Sequence, residues 1–166
     1  MSEHKKLILG VDLGGTKIAT VVATAQGEIL NREYGLTPAQ AGPDAVITNI
    51  FMTIEKALSS GKASPSQLLG IGIAAAGIID CGKGEVIFSP NLPGWNEVPL
   101  RDAVERKFGV PTYLGNDANL AALGEWRFGV KREVANLIYI TVSTGIGGGI
   151  IADGKLYTGA CGTAGE

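Results

Sequence analysis

The sequence predicts an α/β fold, a mixed β-sheet flanked by helices, followed by the start of a second, similar lobe. Three observations predict it. Short β-branched runs alternate with segments of helical period. Two stretches near opposite ends of the chain, LILGVDLGGTKIATVV and NLIYITVSTGIGGGIIADGKLY, share one plan of buried strand, glycine-rich turn and strand. The chain also holds 25 glycines in 166 residues, well above the usual share of about 7%, and they cluster rather than follow a fixed period.

Taken in order, Leu7 to Leu13 is a short apolar strand and Ile18 to Thr24 a second, β-branched one. Glu28 to Leu36 makes a third after the turn at Gln26-Gly27. Pro43 suits the first turn of a helix, along which Val46, Ile47, Ile50, Ile54 and Leu58 recur at helical spacing. The linker SSGKASPSQ leads to a buried strand, Leu69 to Ala76, ending in Gly77. A hairpin (IIDCGKGEVIF) and a loop (SPNLPGWNEVP) come next. Leu100, Val104 and Phe108 mark one face of a helix that Gly109 stops, with Pro111 beyond it. Tyr113 to Asn116 is a strand, and Asp117 opens a helix to about Phe128 with Leu120, Leu123 and Trp126 on its buried side. The charged link VKREV divides a first lobe, 1–133, from the opening of a second, 134–166. There Asn136 to Val142 is a buried strand, followed by the turn STGIGGG, a strand at Ile150-Ile151, a turn at Asp153-Gly154, and KLYTG.

Composition narrows the function. Hydrophobic residues make up 45% and charged residues 18%, a soluble globular balance. Fourteen basic against 16 acidic residues leave a net charge of −2, which offers no footprint for nucleic acid or an anionic membrane. No apolar run approaches the roughly 20 residues that span a bilayer, and Asp12 interrupts the N-terminal apolar run too early for a signal peptide. Cys81 and Cys161 have no CxxC partner, so the reading is two reduced thiols in a cytoplasmic protein.

The stretch GVDLGGTK, Gly10 to Lys17, stands one transposition from the P-loop pattern G-x-x-x-x-G-K-[ST]. A P-loop joins a strand to a helix, whereas here the β-branched IATVVAT follows, so the unit is strand–turn–strand. Asp12 sits at the end of a buried strand, where a carboxylate costs several kcal/mol unless paired or ligating a cation. A turn of Gly14, Gly15 and Thr16 presents backbone amides to an anion, and Asp12 beside it would hold Mg²⁺. The alternative is a tight hairpin whose Asp caps its own turn. The second glycine-rich turn, from Ser143 to Gly149, offers hydroxyls and unhindered amides, and two such turns facing each other would hold a nucleotide's phosphates in a cleft. Lys17 reads as a solvated strand residue.

DLGGTK, NLPGW, GNDAN and STGIGGG, in that order, resemble the ROK family of bacterial sugar kinases and related sugar-responsive repressors. The resemblance covers essentially the whole chain and is strongest to glucokinase-like and N-acetylhexosamine-kinase-like members. It implies an actin-like ATPase (ribonuclease H-like) fold whose two lobes close over sugar and ATP. It places ATP phosphates and Mg²⁺ at Asp12, Gly14, Gly15, Thr16 and Lys17, with the metal on Asp12. Ser143, Thr144, Gly145, Gly147 and Gly148 would meet the phosphates from the other side. Asn91 and Asn116 would hydrogen-bond hexose hydroxyls beside Asp117, with Glu166 as the first residue of the family's E-x-G-H sugar motif. Asp117 would be the general base, although an Asp before an alanine-rich helix also suits a cap. Gly77 is open between close sugar approach and a plain turn; Trp95 reads as packing its loop rather than stacking on sugar.

The resemblance thus implies ATP-dependent phosphorylation of a hexose by a homo-oligomer, a dimer, with no nucleic acid or membrane partner. Zinc would enter only through residues beyond Glu166. Two alternatives stay open: the sugar-sensing portion of a ROK repressor, and a non-catalytic sugar-binding half-protein. The first is disfavoured by the lack of a helix-turn-helix before the first strand. A chain ending at Glu166 would lack the adenosine pocket, so little kinase activity is expected of it alone.

Overall fold

The computed structural model describes residues 6–142, 145–160 and 162–165. The chain opens with β1 (Leu7–Leu13), β2 (Lys17–Thr24), β3 (Ile29–Leu36), α1 (Pro43–Ser60) and β4 (Leu68–Ala75). A small hairpin layer follows, β5 (Ile78–Asp80), β6 (Glu85–Phe88) and β7 (Asn96–Val98), then α2 (Leu100–Phe108), β8 (Thr112–Asn116) and α3 (Asp117–Gly124). A π-helical turn, Glu125–Gly129, leads to β9 (Leu137–Val142), β10 (Ile146–Ala152) and β11 (Lys155–Tyr157).

The main sheet is mixed, in the order β3-β2-β1-β4-β8, with an antiparallel meander β1–β3 and parallel strands β4 and β8 added beside β1. Strand alternation builds its core: Leu7, Leu9, Val11 and Leu13 of β1 and Ile71, Ile73 and Ala75 of β4 all face inward. The apolar stripe of α1, Val46, Ile50, Ile54 and Leu58, closes over β2 and β3. Each such aliphatic side chain contributes about 1.5–3 kcal/mol on burial. Gly42 at φ 85° leads into Pro43 at the start of α1, and Gly109 in the left-handed region at φ 66° ends α2.

Beyond α3 the plan repeats. A three-stranded antiparallel meander, in the order β11-β10-β9, matches the β3-β2-β1 meander at the start of the chain. Its strands differ from expectation in three ways. Gly147, Gly148 and Gly149 lie inside β10 rather than in the turn. The buried side of α3 carries Ala118, Asn119 and Ala122, while Leu120, Leu123 and Trp126 are half-buried. One cause explains both. A Cβ on Gly149 would lie 2.5 Å from Ala122 Cβ and 2.7 Å from Ala118 O, so glycines on the strand let a small-residue helix face approach closely. The third difference is β9, expected buried: only one of its faces is covered. Ile138, Ile140 and Val142 are 74%, 66% and 76% exposed. A further strand, β7, was hidden in the loop SPNLPGWNEVP and exists because Val86 pairs with Val98 and Phe88 with Asn96.

Candidate functional site

The first glycine turn is held from three sides. Gly14 N–H donates to Lys17 O at 3.0 Å, closing the turn and spending that amide. Thr37, just past β3, donates its hydroxyl to Gly14 O at 2.7 Å and its N–H to Thr16 O at 3.0 Å. On the outer side, a Cβ on Gly15 would sit 2.8 Å from Asn91 Cβ, so glycine is required where the Asn91 loop crosses the turn. That loop is anchored by Leu92 and Trp95, both in the core, which leaves Asn91 exposed at its crest. Trp95 therefore packs the loop down, as its sequence context suggests. An anion at this turn would meet the amides of Gly15 and Thr16.

Asp12 ends β1 on the sheet face turned away from α1, paired in register with Ala19 of β2 and Ala74 of β4. It is exposed rather than buried as expected, because the alternation that sends Val11 and Leu13 inward sends Asp12 out. Protein walls still surround it on several sides. Partial desolvation raises its pKa, the carboxylate of Asp117 raises it further, and Lys17 opposes both. Lys17 extends its Nζ over the Tyr34 ring, 4.9 Å from the centroid.

The opposite wall grows from the end of β8. Asn116 is buried and serves as the N-cap of α3, its Oδ1 accepting from Asn119 N at 3.0 Å. Its Nδ2 donates to Gly77 O at 3.2 Å, tying β8 to the bend after β4. Gly77 holds φ 108°, and a Cβ there would collide with the Phe88 carbonyl, so both backbone angle and space demand glycine. The cap falls to Asn116, which frees the next residue for other work. Asp117 is half-buried at the first helical position, and its Oδ1 accepts from Ala118 N at 2.9 Å.

These walls meet around one cleft of about 690 Å³. Gly14, Gly15, Thr16 and Asn91 line one side, Gly77, Asn116 and Asp117 another, and Gly145 and Gly147 of the second meander a third. An adjoining hollow of about 380 Å³ contains Asp12 and shares Asp117, Ala118 and Thr141 with the cleft. The structure thus brings two carboxylates, two amides and two glycine turns to a single place at the carboxyl ends of parallel strands, where open α/β sheets bind ligands.

A family model described as the ROK family matches residues 8–166. The chain belongs to the ROK family. It is 40% identical to a glucokinase of Halalkalibacterium halodurans, over 95% of this chain and 48% of that protein. It is 42% identical to a xylose repressor of Caldicellulosiruptor bescii, over 96% of this chain and 40% of the repressor. Among solved structures, a ROK family glucokinase from Streptomyces griseus in complex with glucose and AMPPNP superposes with TM-score 0.85 at 39% identity, covering 96% of this chain and 49% of that one. The chain therefore spans about half the length of the relatives it matches, and its fold is that of the actin-like ATPases.

Of the expected site residues, nine line the cleft. Asp12 stands in the adjoining hollow, while Lys17 and Gly148 line neither. A Cβ on Gly148 would meet Tyr139 O and Gly165 O, at 3.2 and 3.3 Å. Ser143, Thr144 and Glu166 lie outside the described residues. Sequence reasoning passed over Thr37, which sets the first turn, and Ile78 and Phe88, which line the cleft beside Gly77. The strand pairing of Ile78 with Phe88 brings them together, and alternation within a glycine-broken hairpin is too short to show it.

Proposed function

We propose that this chain is the N-terminal part of an ATP-dependent hexose kinase, acting on a glucose-type or N-acetylhexosamine-type hydroxyl. Residues 1–133 would form its first lobe and 134–166 the opening of its second. The observation that carries the reading is Asp117 standing in one cleft with Asn116, Asn91 and both glycine turns. Likeness to glucokinases supports it.

The residues fit a nucleotide and metal. A Cβ on Gly145 would meet nothing within 4 Å, so that position is open to the cleft, and Gly15 and Thr16 line the cleft as well. Among the described residues no three metal-binding side chains cluster. The Asp117 carboxylate nevertheless acts on Asp12, and one or two carboxylates plus phosphate oxygens is how Mg²⁺ is usually held. Bound ATP with Mg²⁺ would supply the transferable phosphoryl group and neutralise charge as it develops. Asn91 and Asn116 both donate and accept, matching hydroxyls of a hexose. With Oδ1 of Asp117 engaged by Ala118 N, Oδ2 accepts the proton of the attacking hydroxyl. Asp12 would hold the metal, and Gly15, Thr16 and Gly145 would hold phosphate oxygens. Self-association is supported by the bare apolar face of β9, and a cytoplasmic setting by the free thiol of Cys81.

A second reading, sugar sensing without turnover, draws on the xylose repressors among the relatives. Both are tested by hexose-dependent ADP release from the full-length product of the gene. Turnover with glucose or an N-acetylhexosamine supports the kinase. Saturable sugar binding with no ADP release would replace it with the sensor.

A further inference from the structure

A second hollow, of about 470 Å³, lies on the far side of Asn116 from the cleft. It is lined by the β5–β6 hairpin, β8, the first turn of α3, Leu156 of β11, and Thr158, Ala160 and Gly162. Ile79, Ile87, Leu114, Leu120 and Leu156 supply aliphatic walls, and the volume is within the usual range for ligand pockets. Asp80, Cys81, Asn116, Asn119 and Thr158 add polar groups to this lining. Asn119 faces the hollow, is 6% exposed, and its Oδ1 has no hydrogen-bond partner. A buried acceptor left unpaired is unfavourable, and nothing in α3 requires an asparagine there, since Asn116 already provides the cap through the backbone N–H of Asn119.

We infer that this hollow is a second small-molecule site, taking a rigid aromatic ring system with one hydroxyl or N–H donor that bonds the Asn119 side chain. Aliphatic walls favour a rigid apolar body, which gives up little conformational freedom on binding. Asn119 Oδ1, the unpaired buried acceptor among the described lining residues, calls for one donor. The site also reaches the cleft. Asn119 N–H bonds Asn116 Oδ1 at 3.0 Å, Asn116 Nδ2 bonds Gly77 O at 3.2 Å, and Asn116 and Ile78 line both spaces. Occupancy therefore shifts Asn116 and Gly77, two groups facing the cleft, whatever the cleft itself binds.

The test is a titration of the chain with 2-naphthol, followed by amide chemical shifts, with naphthalene as the probe lacking a donor. Expected are saturable one-to-one binding of 2-naphthol, shifts at the Asn119 side chain and at Gly77, and binding of naphthalene about fivefold weaker, the worth of one net hydrogen bond. Ile87→Trp, which fills the hollow from β6, should abolish binding. Asn119→Leu should bind both probes alike. If Ile87→Trp fails to fold, Asn119→Leu and the probe pair still decide. No saturable binding, equal affinity of the unaltered chain for both probes, or shifts confined to Ile138, Ile140 and Val142 on the bare face of β9 would each overturn the site. Binding without movement of Gly77 would overturn its link to the cleft. None of these readouts depends on whether the cleft takes a hexose.

Discussion

The two meanders follow one plan and meet different fates. In the first, β1–β3, the face turned to α1 is sealed: Ile18, Thr20 and Val22 of β2 are all 0% exposed. In the second, β9–β11, helix α3 covers one face and the other is bare, with Ile146 78% exposed beside Val142. Glycine is also used differently. The first meander concentrates it at the turn, where Gly15 makes room for the Asn91 loop. The second carries it into the strand, where Gly149 makes room for α3. The comparison teaches that one hairpin can serve as the edge of a finished core or as a platform for a helix. Glycine position separates the two, while both meanders bring glycines to the cleft, Gly14 and Gly15 from the first and Gly145 and Gly147 from the second.

Paired substitutions sharpen the contrast. Ile18→Ala in the first meander removes a fully buried side chain and should cost about 2–5 kcal/mol, whereas Ile140→Ala on the bare face should stay within about 0.5 kcal/mol. Urea unfolding of the two variants measures this directly; equal losses would mean that the β9 face is covered in solution. Next in size, Gly149→Ala forces a methyl into α3 and should cost about 1–3 kcal/mol, while Gly145→Ala, with open space around it, should be close to neutral. Thermal melts decide, and a neutral Gly149→Ala would show that α3 can move off β10 freely.

The smallest effect concerns Asp12. Its folded pKa is raised above the ordinary value of 3.8 by desolvation and by Asp117. The folded state then binds the proton more tightly than the unfolded chain, so this carboxyl lowers stability as pH rises from the unfolded pKa through the folded one. Asp12→Asn should therefore raise the melting temperature at neutral pH, with the gain fading on acidification below about pH 4. A gain that persists unchanged at low pH would assign it to something other than charge.

Much of the architecture was legible in the residues. Val46, Ile50, Ile54 and Leu58 announce α1 by period alone, and Gly109 followed by Pro111 marks the end of α2. The repeated plan of strand and glycine turn was readable too, as were Asp117, Asn116 and the turn from Gly14 to Thr16, because strand ends and glycines carry local signals. What stayed hidden depends on partners distant in sequence. β7 is three residues among turn-formers, and cross-strand pairing with Val86 and Phe88 makes it a strand. Gly147–Gly149 have poor strand propensity, yet pairing with β9 draws them into β10. The small-residue face of α3 makes sense only once that glycine strand lies beneath it. Assigning the cap to Asn116 rather than Asp117 required the Asn119 N–H to be seen 3.0 Å from its Oδ1.

The central claim is that Asp117 takes a proton in a cleft that binds hexose through other groups. The most direct test is Asp117→Asn in the full-length protein, with turnover and hexose affinity measured separately. The account predicts a fall in kcat of about 10²–10⁴ with hexose affinity changed by less than about tenfold. Undiminished kcat would contradict it, and Asp117 would then be a structural residue of the α3 start.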